Sequence, residues 1–148
     1  MEIQDFSRHL DGLGKELRRQ LERDLPEKIG NLAVRLFKRN FQEESFFGRK
    51  WKEVKRRLHG AKGAAGIRKI LTGPTGNLGR SIQYTPHRGS VTVHSDLPYA
   101  EAHNEGTTTA GRGRHTTIPQ RRFMGEDKQL TDAIEQLITK EISKALNK

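Results

Sequence analysis

Between Tyr99 and Gly125 the chain alternates dense and empty stretches, and this limits its fold more than any other feature. Tyr-Ala-Glu-Ala-His-Asn-Glu-Gly (Tyr99 to Gly106) leads into a thread of Thr, Gly and Arg. Ile-Pro-Gln-Arg-Arg-Phe-Met-Gly (Ile118 to Gly125) closes it. The thread carries no apolar residue beyond Ala110, so it can bury almost nothing of its own. It reads as a flexible loop, 106–117, anchored at both ends. If the first anchor is helical, Tyr99 and His103 stand four residues apart and share a face. In the second, Pro119, Arg121 and Phe123 offer an aromatic and a cation to a partner. Together with Trp51, the only tryptophan, these residues (Tyr99, His103, Pro119, Arg121 and Phe123) are the expected subunit interface.

The flanking segments supply the core. Ile3, Phe6, Leu10, Leu13 and Leu17 recur at spacings of three and four and continue to Leu21 and Leu25, an amphipathic helix weakened by Gly12 and Gly14. Pro26 suggests a break, and Ile29, Leu32, Ala33, Leu36, Phe37 and Phe41 make a second helical face. Ser81 to Thr85 and Ser90 to Ser95 read as two strands around Pro86-His87-Arg88-Gly89, with Val91 and Val93 on one face and Thr92 and His94 on the other. Leu130, Ala133, Ile134, Leu137, Ile138, Ile142 and Leu146 mark a last helix, with Asp127 or Thr131 as its N-cap. The expected fold is α+β: two N-terminal helices and a C-terminal helix packed on one face of a small antiparallel β-sheet, with a long flexible loop. One domain over 1–148 would comprise a helical hairpin (1–45), a basic glycine-rich loop (46–69), the sheet (70–125) and the C-terminal helix (126–148).

Charge decides which partners suit such a chain. The net charge is +10, and residues 49–69 hold nine basic side chains against Glu53 alone. A cluster of this kind attracts polyanions without reading sequence. Lys50, Lys52, Lys55, Arg56, Arg57 and Lys62 are the candidate DNA contacts, with Trp51 as a stacking residue. The segment matches no helix-turn-helix, RNA-recognition or zinc-finger pattern.

Other chemistry finds little support. The six histidines lack metal-ligand spacing, and no cysteine is present. No serine sits in a nucleophile elbow. Gly73-Pro74-Thr75-Gly76-Asn77-Leu78-Gly79-Arg80 lacks the Gly-Lys-Ser/Thr ending of a phosphate loop and reads as a turn. Neither a cofactor nor a small-molecule substrate is expected, and no enzymatic activity. No run approaches the ~18 apolar residues of a membrane span, and a signal-peptide core is absent. The expectation is a protein kept soluble in a cytoplasm, without membrane contact.

Four short motifs carry a resemblance. Gly48-Arg49-Lys50-Trp51-Lys52 is similar to a Gly-x-x-Trp element. Ile70-Leu71-Thr72 with Thr75 to Ile82 is similar to an Ile-Leu … Thr-Gly-x-Leu-x-x-Ser-Ile segment. The other two are Tyr-Ala-x-x-His-x-x-Gly (Tyr99 to Gly106) and Ile-Pro-x-Arg-x-Phe-x-Gly (Ile118 to Gly125). In this order, followed by a C-terminal helix, they resemble the phage virion morphogenesis family, the tail completion proteins of the phage Mu protein G type. Arg122 departs from the small residue or proline usual in the family between the arginine and the phenylalanine. The resemblance implies a non-enzymatic structural protein that completes or caps the tail and helps head–tail joining. The implied form is a homo-oligomeric ring, such as a hexamer. Its implied partners are the tail tube and the head and neck proteins, and its implied place is the virion, or the bacterial host cytoplasm during assembly. The alternative from the residues alone is a small basic nucleic-acid-binding protein using residues 49–69.

Overall fold

The computed structural model describes residues 1–4, 6–73 and 75–147. Pro74 of the glycine turn and Lys148 at the end of the expected C-terminal helix lie outside them. The chain is α+β, with helices and small antiparallel sheets. It forms two compact units from interleaved segments: Met1–Leu36, Gln83–His94 and Glu126–Lys148 in one, Phe37–Ile82 and Ser95–Gly125 in the other.

In the first unit, β1 (Glu2–Ile3), β5 (Ser90–His94) and β4 (Gln83–His87) form a three-stranded antiparallel sheet in the order β1-β5-β4. The pairs Ile3↔Val91, Tyr84↔Val93 and Pro86↔Val91 put one set of side chains on a common face, and Val91 and Val93 are fully buried. The opposite face carries Thr85 opposite Thr92. Its histidines bond across the hairpin, His94 Nε2 to Thr85 Oγ1 at 3.0 Å and His87 Nε2 to Thr92 Oγ1 at 3.1 Å. The alternation expected for Val91 to His94 is present, but the first strand begins at Gln83, two residues later than expected. Ser81 and Ile82 instead follow a one-turn helix, α4 (Asn77–Arg80). Pro86 is tolerated because β4 is an edge strand, where a missing N–H costs no ladder bond.

The two expected N-terminal helices are corrected on both counts. Residues 2–3 are strand and Phe6–Leu10 is a 3-10 helix. Gly12, at φ 86°, ends that turn rather than weakening a longer helix. The chain then runs as one helix, α1 (Lys15–Glu43), straight through Pro26. A proline inside a helix removes one hydrogen bond and strands the carbonyl four residues back, at roughly 3 kcal/mol. Here that carbonyl belongs to Glu22, and the Gly89 N–H of the β4–β5 turn donates to it at 3.0 Å. The hairpin supplies the donor that the proline lacks, so the break expected at Leu25-Pro26 does not occur. Opposite the sheet, Gly30 of α1 lies against the Tyr84 ring; a methyl group there would meet Tyr84 Cγ and Cδ2 at 2.5 Å. The last helix, α6 (Lys128–Leu146), is capped by Asp127, whose carboxylate accepts from Gln129 N at 2.8 Å. It buries Leu130 and Ile138, and Glu141 pairs with Lys28 of α1 at 2.6 Å.

In the second unit the end of α1 runs into a tight hairpin, β2 (Ser45–Phe46) and β3 (Arg49–Lys50). Its turn residues Phe47 and Gly48 both have positive φ, 48° and 91°, as a type I′ turn requires. Two one-turn helices, α2 (Lys55–Leu58) and α3 (Ala64–Ile67), occupy the basic glycine-rich segment. After α5 (Ala100–Glu105) comes a second hairpin, β6 (Thr107–Ala110) and β7 (Thr116–Ile118). The loop expected at 106–117 is therefore a paired β-arm. Its strands pair only with each other among the described residues.

Candidate functional site: a clasp at the base of a β-arm

All four motifs fall in the second unit, although they come from four separate parts of the chain. What joins them is the extended stretch Arg121 to Met124, whose backbone polar groups have no strand to pair with and must be satisfied otherwise. Two buried asparagines do most of this. Asn104, at the end of α5, accepts from Phe123 N at 2.9 Å and Met124 N at 3.0 Å, and donates to Met124 O at 2.9 Å. Asn40 of α1 donates to Phe123 O at 3.0 Å and accepts from Phe47 N at 3.1 Å. Trp51 Nε1 donates to Arg122 O at 2.6 Å. The Arg121 guanidinium donates to Lys52 O at 2.8 Å and Glu53 O at 3.2 Å, while Arg121 N donates to His103 O at 2.9 Å.

Apolar packing closes the same clasp. Phe123 is fully buried, its ring 5.0 Å from that of Phe41, which in turn meets Trp51 edge-on at 5.5 Å. Leu78 and Ile82 of the Thr-Gly-x-Leu-x-x-Ser-Ile segment are buried, with Gly79 against the Phe41 ring. Gly106 ends α5 at φ 76°, and a methyl group there would come within 2.9 Å of Gln120 N. Only glycine allows the two motif segments to approach so closely at the root of the arm. The Arg122 guanidinium lies over the Phe46 ring, 5.7 Å from its centroid.

These positions divide the expected interface. Trp51, Arg121 and Phe123 are buried within the protomer, so they build the clasp rather than present a surface. Tyr99 is 43% exposed and meets His103 edge-on at 6.0 Å. His103 and Pro119 are half-buried. Burial, reinforced by the Arg121 cation, holds the His103 imidazole below its ordinary value of 6.5. Its Nδ1 has no hydrogen-bond partner among the described residues. Arg112, Arg114 and His115 are exposed at the arm's tip.

The candidate DNA contacts divide as well. Lys50, Lys52, Lys55 and Lys62 are exposed. Arg57 instead forms a forked ion pair with Glu44 and donates to Arg68 O at 3.1 Å. That pairing holds the Glu44 carboxylate below the usual range. Arg56 donates to Arg68 O at 2.7 Å and Lys69 O at 3.0 Å. Both arginines therefore staple α2 to the 68–70 turn, and the charge of Arg57 is offset by Glu44. Sequence reasoning missed Asn40, Asn104 and Glu44. Asn104 left one signal, a poor helix former just ahead of a helix-ending glycine.

The profile of the phage virion morphogenesis family matches residues 1–143. Nothing among curated proteins or solved structures matches the chain. No helix of the described residues is long and apolar enough to cross a membrane.

Proposed function

The chain belongs to the phage virion morphogenesis family, and from that membership we propose that it completes or caps the tail and helps join it to the head as a homo-oligomeric ring. A phage structural and assembly role follows from the family itself. The observation that carries the finer reading is the β6–β7 arm. Its outer edges are unpaired among the described residues, and a free strand edge invites another chain. The arm is fixed at both roots by the clasp, so a neighbour that pairs with it is held at a defined angle. Tyr99, with His103 and Pro119 beside the arm's roots, supplies the adjacent contact surface. Head-to-tail contacts of this kind close into rings when the rotation between neighbours divides a full turn. The tail tube and the head and neck proteins are the proposed partners, and the exposed Lys50, Lys52, Lys55 and Lys62 the proposed contacts to passing DNA.

Light scattering on the purified protein tests the ring. Intact protein should elute as a closed multiple of the 16.9 kDa chain, and deletion of residues 108–115 should give a monomer that is still folded and melts cooperatively, at a lower temperature than the assembly. A deletion variant that still forms the full assembly would contradict the role given to the arm.

A further inference from the structure

A second cationic site lies in the first unit and is built from residues other than 49–69. A cavity of about 570 Å³ is lined by Arg19 and Arg23 of α1 and by Pro86, His87 and Arg88 of the β4–β5 hairpin. Arg19 and Arg23 are one helical turn apart and exposed, so both guanidinium groups stand on the same side of α1. Arg88 reaches toward them from the turn, with its Nε 3.7 Å from Glu22 Oε2 and most of its side chain in solvent. Arg19 has no ion-pair partner among the described residues, and Arg23 has only the loose contact to Asp24 at 3.6 Å. The Gly89–Glu22 backbone bond that serves Pro26 fixes the hairpin turn against α1. Arg88 is thus carried on a positioned element rather than a loose loop.

We infer that this cavity binds the phosphodiester backbone of DNA without reading sequence, a contact distinct from the lysines of residues 49–69. Three arginines line it, and the carboxylate that touches one of them, Glu22 against Arg88, is not itself part of the lining among the described residues. Planar guanidinium forks match phosphate oxygens two at a time and stay charged at any working pH. A protein partner would need a buried apolar or aromatic anchor at the centre of its contact. Beyond Pro86, the His87 ring and the arginine stems this cavity offers none among the described residues, which favours a polyanion over an acidic protein surface. The inference does not depend on the ring or on tail completion.

Fluorescence anisotropy of the full chain with a short labelled duplex, between about 50 and 200 mM salt, tests it. Each phosphate contact adds about 0.9 to the slope of log affinity against log salt. The triple variant Arg19→Ala, Arg23→Ala, Arg88→Ala should therefore lose between about 2 and 3 units of slope. The corresponding triple lysine variant should keep it. Alanine at Lys50, Lys52, Lys55 and Lys62 should lower the slope further and independently. If the triple alanine variant loses its fold, the Arg19→Ala, Arg23→Ala pair of exposed residues should still lower the slope by about 2. An unchanged slope in the arginine variants would overturn the inference, as would polyglutamate displacing the duplex more readily than unlabelled duplex at equal charge.

Discussion

Replacing Asn104 with alanine is expected to lower stability by about 3 kcal/mol or more and to reduce the melting temperature by roughly 10 °C. The side chain satisfies three backbone groups of Phe123 and Met124 in a buried setting. Each such group left dry and unpaired costs roughly 1–3 kcal/mol. No strand among the described residues lies alongside to take them over. Glu105→Ala is the control. Its carboxylate also touches Asn104, at 3.0 Å from Nδ2, but the residue is exposed, so its loss should change stability by less than about 1 kcal/mol. Thermal melts followed by circular dichroism measure both. An Asn104→Ala protein that melts within about 2 °C of the parent would show that the clasp is held by other means.

Gly30→Ala should destabilise the first unit, and the sign is the informative part. Within a helix, alanine is favoured over glycine by roughly 1 kcal/mol, so at an open position this change stabilises. At Gly30 the new methyl would sit 2.5 Å from the Tyr84 ring and 3.0 Å from Tyr84 Cβ. Overpacking of that kind costs about 1–3 kcal/mol, and the ring cannot swing aside freely because its own Cβ is close. The clash outweighs the propensity. In a Tyr84→Ala background, which keeps only the Cβ contact at 3.0 Å, the cost of Gly30→Ala should fall, and a double-mutant cycle read by urea denaturation isolates the coupling. Additive effects would contradict the close approach of α1 and β4.

How much of this was legible beforehand differs from element to element. The second strand of the β4–β5 hairpin was, because Val91 and Val93 alternate with Thr92 and His94 over a half-buried sheet. The capped C-terminal helix was, because Asp127 precedes a regular apolar stripe. The continuous α1 was not. Its buried residues Leu21, Leu25, Ile29, Ala33, Phe37 and Phe41 step by four, a row that winds about 40° around the helix at each step. In sequence that row reads as two faces of different width, and Pro26 between them reads as a break. The compensating donor, Gly89 N, lies more than sixty residues away and leaves no local signal.

The arm shows the same limit. Thr107 to Thr117 has no apolar residue beyond Ala110, so its pairing rests on backbone bonds that composition does not advertise. The clasp was half legible. The aromatic and arginine residues of the motifs stood out, but whether Trp51, Arg121 and Phe123 turn inward depends on Asn40, Asn104 and the backbone of Lys52 and Glu53. Likewise Arg56 and Arg57 look like free charge in sequence until Glu44 and the carbonyls of Arg68 and Lys69 claim them.

Particles assembled without this protein report on its role most directly. In a phage whose copy of the gene is deleted, electron microscopy of lysates should show filled heads and separate tails with unfinished ends. Supplying the intact protein in trans should restore joined particles, whereas protein lacking residues 108–115 should not. Normal joined and infectious virions from the deleted phage would contradict the account at its centre.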